Sequence, residues 1–464
     1  MIPNFYNLFY INTALQLKNK TYANSRWAVS APIAILLFSL SFMFSCHQGN
    51  TDTASANKKN ATSIIELPKP TPIAKAEADR LHTACEQWFD SALLYRGFNG
   101  GMLVAKNGNI VFEKYTGTGH LPGTDLITAE TPLQIASTSK TFTAMAVLKL
   151  WQDGKLNIDD ELSKYIKNFN YPGVTIRSLL THRSGLPNYL YFMDNLGWDK
   201  TKNATNADVL NYLVTKKAQL EDISTPNTHF TYCNTNYALL ALLVELVTSK
   251  KFPQYLQETF FAPLQMKHSF VFNPLDSIKV DLSYDRSGRL NPLNSLDGVY
   301  GDKNVYTTPQ DLLIWDRALR SDKIFKPETL TQAYAPYSNE KPGVRNYGLG
   351  WRMNIYPDGK KMIYHNGWWH GNRAVFIRLL KEDATIIIIS NKDNSTIYKA
   401  KILCNLFGDY YGGDEEDDNE SSRSTDVLSP LQPNKPIINE VKISKKNEKL
   451  QQLFKDKNKI TTHH

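Results

Sequence analysis

Between residues 77 and 410 apolar positions recur at helical spacing in some stretches and crowd into short β-rich runs in others; both patterns stop outside those limits. This middle unit opens on a helical pattern over 78–95. Gly101-Met102-Leu103-Val104-Ala105 and Asn109-Ile110-Val111-Phe112-Glu113 then flank Lys106-Asn107-Gly108. An Asn-Gly between two β-rich runs predicts a hairpin, because both residues tolerate the positive φ of a tight turn. Near the other end, 373–380 and 384–390 predict two more strands, the second with four consecutive isoleucines, and 396–407 predict a last helix. Helical patterns fill the middle over 138–152, 175–181, 207–219, 236–249 and 309–320. Strands from both ends with helices inserted between them predict one α+β domain over 77–410: an antiparallel sheet flanked by helices, plus a helical lobe. A catalytic cleft is expected where lobe meets sheet.

The two ends read differently. Residues 4–26 carry Lys18, Lys20 and Arg26 and no acid, and an apolar run over 28–44, broken by Pro32, leads to Ser45-Cys46. A basic flank, a short apolar core and a small residue describe a secretory signal over 1–46. The run falls short of the ~20 residues that span a bilayer. A cysteine directly after that small residue resembles a bacterial lipobox, which implies lipidation of Cys46 and an exported, membrane-attached protein; an uncleaved anchor is the alternative. Residues 47–76, rich in Thr, Ser, Asn, Ala, Lys and Pro, read as a flexible tether. Residues 411–464 hold an acidic block and then a lysine-rich one, the pattern of a solvated tail.

Composition narrows the chemistry. The 464 residues carry 53 Lys and Arg against 45 Asp and Glu, a net +8, and much of that excess sits at the ends. No nucleic-acid partner is expected from so mild a charge. Four cysteines exclude a disulfide scaffold. GxxxxGK[ST], GxGxxG, HExxH and GxSxG are all missing, and His365 with His370 has no third ligand, so neither a metal nor another cofactor is expected. Serine chemistry of another kind remains.

The informative segment is Ser137-Thr138-Ser139-Lys140, followed by apolar residues at helical spacing. A helix starting at Ser137 places Lys140 one turn along on the same face, roughly 5–6 Å away between side-chain bases. An amine there can take or orient a hydroxyl proton, and the helix N-terminus favours a developing oxyanion. Alone the motif is weak: Ser55 with Lys58 and Ser338 with Lys341 match it too, without the helical context. Taken singly, Ser137 reads as a helix cap, Lys140 as a solvated lysine and Tyr232 as a core aromatic.

Order decides between these readings. Ninety-five residues after Ser137 comes Tyr232-Cys233-Asn234, opening a helix, and 133 later comes His365-Asn366-Gly367. With Leu179 to Pro187, Val305 to Leu312 and Tyr347-Gly348-Leu349-Gly350-Trp351, this resembles the serine β-lactamase and penicillin-binding protein superfamily, in its class C-like branch. The resemblance implies the β-lactamase/DD-peptidase-like fold. It implies Ser137 as nucleophile, Lys140 in proton transfer and Tyr232 as general base. Asn234 would hold Lys140 and the substrate amide, with His365, Asn366 and Gly367 lining the substrate. The backbone N–H groups of Ser137 and Trp368 would form the oxyanion hole. It also puts Cys85 and Cys404 on neighbouring helices, where an exported protein could bridge them.

His365 is the main departure, since β-lactamases and many penicillin-binding proteins carry lysine there. An ordinary histidine titrates near 6.5, so the expectation is that recognition of carboxylate-bearing substrates fades between about pH 6 and 8. The resemblance implies an exported serine hydrolase that acts through an acyl-enzyme on an amide or ester, a D-amino-acid peptide or small ester among them. A non-catalytic peptide-binding lipoprotein and a true class C β-lactamase are the alternatives.

Overall fold

A computed structural model of the chain describes residues 63–274, 276 and 280–410. The signal over 1–46, Cys46, most of the tether and the tail after 410 lie outside the described residues.

The first helix, α1 (Lys75–Trp88), runs on through one π turn, Phe89–Leu93, and a 3-10 turn, Leu94–Arg96. The hairpin follows: β1 (Gly100–Lys106) and β2 (Asn109–Thr116) are joined by Asn107 and Gly108, both left-handed at φ +53° and +74°. Short β3 (Leu133–Gln134) leads into α2 (Ser139–Gln152). The lobe is built from α3 (Ile176–Leu180), α4 (Tyr189–Asn195), α5 (Asn206–Thr215), α6 (Asn234–Thr248) and α7 (Phe252–Leu256). Short strands β4 (Phe270–Val271), β5 (Ser283–Tyr284), β6 (Leu290–Asn291) and β7 (Val305–Thr307) carry the chain back to α8 (Pro309–Arg320) and α9 (Pro327–Ala333). The domain closes with β8 (Arg345–Tyr347), β9 (Arg352–Ile355), β10 (Lys361–Trp369), β11 (Asn372–Leu379), β12 (Ala384–Ser390) and a run of 3-10 turns, Ser395–Leu406.

Seven strands form one antiparallel sheet in the order β2-β1-β12-β11-β10-β9-β8. Both faces are covered, which is why β12 can be a run of isoleucines. Ile387 and Ile389 point into the core shared with α2 and the lobe, while Ile386 and Ile388 point into a second core under α1 and the C-terminal 3-10 run. Strands β1 and β11 alternate in the same way. Between sheet and lobe, α2 is buried on every side, Lys140 included. An internal ion pair ties α8 to the sheet: Arg378 Nε lies 2.5 Å from Asp316 Oδ1, with both side chains almost fully buried.

Two sequence expectations need correction, and one question left open is answered. The tether was expected to run to residue 76, but residues 63–74 lie along the domain. Ile65 N–H donates to Pro263 O and Thr71 N–H to Asn107 O, while Ile65, Leu67 and Ile73 pack against the cores. The domain therefore begins before residue 77. The last helix over 396–407 is a 3-10 run rather than an α-helix. Cys85 and Cys404 are not bridged. Each is buried instead, with Cys404 Sγ 3.6 Å from Met362 Sδ and burial pushing the Cys85 thiol up to about 12.

Candidate active site

Ser137 sits in a 3-10 turn, Ala136–Thr138, immediately before α2. Ala136 is held at φ +46°, a conformation that non-glycine residues rarely adopt and that concentrates at functional turns. Lys140, in the first turn of α2, is fully buried, and its Nζ has three acceptors: Ser137 Oγ at 3.1 Å, Asn234 Oδ1 at 2.7 Å and the Asp302 carbonyl at 2.8 Å. Three acceptors match the three hydrogens of an ammonium. Asn234 reaches it because it is the first residue of α6, which packs against α2. Ser139, the other serine of the motif, accepts the Val305 N–H at 3.0 Å and so holds β7.

Tyr232 lies just before α6, with Lys140 Nζ 5.0 Å and Arg352 Cζ 5.1 Å from its ring centre. Two cations thus stand against the Tyr232 ring, and one of them, Lys140, reaches the serine where negative charge develops on attack. The opposite wall is β10. Gly367 lies so close to the serine turn that a Cβ would come within 2.1 Å of the Ile135 carbonyl oxygen. Thr138 Oγ1 reaches the His365 carbonyl at 3.4 Å, and Tyr398 OH donates to the Gly367 carbonyl at 2.7 Å. The expected residues Ser137, Lys140, Tyr232, Asn234 and His365 to Trp368 are therefore brought together by α2, the start of α6 and β10.

Residues 91–401 match the Beta-lactamase family. The chain belongs to that family. Penicillin-binding protein 4* of Bacillus subtilis (strain 168) is 29% identical over 351 residues, which cover 71% of this chain and 77% of that protein. Among solved structures, a penicillin binding protein from Bacillus halodurans superposes with a TM-score of 0.60 at 24% identity, covering 70% of this chain and 99% of that one. The D-amino acid amidase from Ochrobactrum anthropi SV3 superposes with a TM-score of 0.56 at 19% identity, covering 71% and 97%. These likenesses establish the β-lactamase/penicillin-binding fold for this member of the Beta-lactamase family.

His365 does not behave as its sequence position suggested. It is fully buried on β10, with Nδ1 2.7 Å from the Asn366 carbonyl and Nε2 3.3 Å from Tyr347 OH. Burial first, then the charges of Arg352 and Lys140, holds its pKa well below 6.5. It therefore carries no charge to lose between pH 6 and 8, and the expected fading of carboxylate recognition is withdrawn. Arg373 is no substitute, since Asp393 Oδ1 lies 2.8 Å from its Nε and its guanidinium stacks 4.4 Å over Trp368. Arg352 is the permanent charge beside Tyr232.

Sequence reasoning quoted the segment around His182 without giving that residue a role. His182 is buried at φ +57°, its ring 4.3 Å from Tyr232 and its Nδ1 accepting the Cys233 N–H at 3.0 Å. It fixes the loop that presents Tyr232. Burial, then Lys140, Arg352 and His365, holds its pKa well below 6.5 as well. The Cys233 thiol is pushed up to about 11 by burial, so it fills space rather than reacts. Among the described residues, His120, Asp125 and Asp281 form a metal-like cluster, but none of the three belongs to this site.

Two histidines kept neutral in the fold have a consequence for stability. Each takes up a proton near pH 6.5 once unfolded, so below that pH the unfolded chain binds more protons than the folded one. Stability should be unaffected by them above about pH 7 and should fall below about 6.5, by up to ~1.4 kcal/mol per pH unit for each histidine. Thermal unfolding from pH 8 to 5 checks this: the Tm should hold and then decline. A Tm level down to pH 5 would contradict the neutral assignment.

Proposed function

We propose that this member of the Beta-lactamase family is an exported serine hydrolase of amides or esters, working through an acyl-enzyme on Ser137. The observation that carries the proposal is Lys140 Nζ at 3.1 Å from Ser137 Oγ, itself fixed by Asn234 and the Asp302 carbonyl. Ser137 Oγ attacks the carbonyl carbon as its proton passes by way of Tyr232 and Lys140 towards the leaving amine or alcohol. The oxyanion is received by the N–H groups of Ser137 and Trp368, on the two elements that Gly367 lets approach. Water then attacks the acyl carbon, releases the acid and returns the proton to Ser137. No cofactor takes part.

The substrate class follows from the relatives and the charges. A D-amino acid amidase shares the fold, and Arg352 beside Tyr232 suits a substrate with a free carboxylate. We take the substrate to be a D-amino-acid peptide, amide or ester. The test is hydrolysis of D- and L-phenylalanine amides and esters by the full chain. Faster turnover of the D-forms, lost in Ser137→Ala, is expected; equal rates in wild type and Ser137→Ala would refute it. Membrane attachment through a lipid on Cys46 is part of the same proposal. Cys46→Ala should release the protein from membranes or leave its precursor uncut, and a wild-type protein without lipid mass would count against it.

A further inference from the structure

A second cavity lies outside the catalytic cluster. A cavity of about 260 Å³ is lined by Arg96, Arg286, Lys392, Asp393, Asn394, Ser395, Thr396 and Lys399. It shares no residue with the catalytic cluster. Four cations converge on it from three separate stretches of chain: the turn after α1 (Arg96), the β5–β6 connection (Arg286), and the segment from the end of β12 into the 3-10 run (Lys392 and Lys399). The carboxylates nearest in sequence are already engaged, Asp393 by Arg373 at 2.6 Å and Asp285 by Arg289 at 2.7 Å. Among the described residues, none of the four cations has an ion-pair partner.

Asn394 makes a rigid part of the cavity wall. Asn394 is 93% buried, and its Oδ1 accepts the Thr396 N–H at 3.1 Å, which fixes the orientation of the amide. The Nδ2 of that amide is left buried with no hydrogen-bond partner among the described residues. Four like charges around one cavity repel one another; solvent weakens that repulsion and a bound anion relieves it further.

From this geometry we infer that the cavity is a binding site for a phosphate group. Two guanidinium forks, two ammonium groups and the hydroxyls of Ser395 and Thr396 offer donors from several directions. A tetrahedral oxyanion with several acceptor oxygens can use them; a chloride or a single carboxylate can use only a few. The cavity is larger than one phosphate, so the group arrives attached to something, as a soluble phosphate ester or as a lipid headgroup.

The experiment titrates inorganic phosphate into the full chain by calorimetry at constant ionic strength, with acetate and chloride as controls. Sedimentation with phosphatidylglycerol or phosphatidylcholine vesicles runs in parallel. Saturable phosphate binding is expected, weakened about tenfold or more in the Arg286→Gln/Lys392→Gln double variant, while ester acylation of Ser137 stays unchanged. Selective sedimentation with phosphatidylglycerol that weakens equally in the double variant would assign the phosphate to a lipid; phosphate binding without it would assign it to a soluble ester. The inference is overturned if neither probe binds, if acetate or chloride binds as well as phosphate, or if the double variant binds like the wild type.

Discussion

Lys140→Met is expected to lower kcat/KM for an ester or amide about 10³-fold, within the 10²–10⁴ range typical of a positioned proton-transfer group. Methionine keeps the apolar stem inside α2 but removes the group that touches Ser137 Oγ, Asn234 Oδ1 and the Asp302 carbonyl together. Two effects follow from one change. The serine loses its proton partner, and two buried acceptors lose a donor, at about 1–3 kcal/mol each in stability. Steady-state kinetics and a thermal melt on the same preparation separate them. A variant that melts lower but keeps wild-type kcat would mean that Lys140 only holds α6 to α2.

Gly367→Ala is expected to lower kcat at least about 10²-fold, although the change is one methyl group inside a strand. Its Cβ would lie 2.1 Å from the Ile135 carbonyl oxygen and 3.2 Å from Thr138 Oγ1, so either β10 or the serine turn must move. A displacement near 1 Å at a reacting group is enough for a loss of that size, and overpacking adds about 1–3 kcal/mol of destabilisation. The comparison that isolates the effect is Gly350→Ala. There the Cβ would meet Ala144 Cβ at 2.2 Å and the Lys140 carbonyl oxygen at 3.4 Å, on α2 beyond the serine turn. Gly350→Ala should lower the Tm with a far smaller loss of kcat. Equal losses of kcat in both would remove the special role given to the Gly367 contact.

What the sequence made legible was what repeats or what is local. The Asn107-Gly108 hairpin, the isoleucine strand β12, α8 and the Ser137 to Lys140 turn follow from periodicity, turn chemistry and spacing, and they stand in the structure. Strand β10 was not legible, because Asn366-Gly367 reads as a turn; in the fold the glycine is inside the strand, where another backbone comes too close for a Cβ. Strands β8 and β9 are too short and too polar to show a period. The state of His365 could not be read either, since a pKa depends on burial and on Arg352 and Lys140, which approach from other elements. His182 was in view as part of a motif, but only the fold shows its ring against Tyr232. Whether Cys85 and Cys404 pair could not be read for the same reason: neighbouring elements do not fix the geometry that a disulfide needs.

The most direct test of the central claim is the intact mass of the protein after brief exposure to a reactive ester, with the modified peptide sequenced. One acyl adduct per chain is expected, located on Ser137, absent in Ser137→Ala, strongly slowed in Lys140→Met and unaffected by Ser139→Ala in protein that remains folded. An adduct of the same size and rate in Ser137→Ala, or one that maps to another residue, would contradict the account.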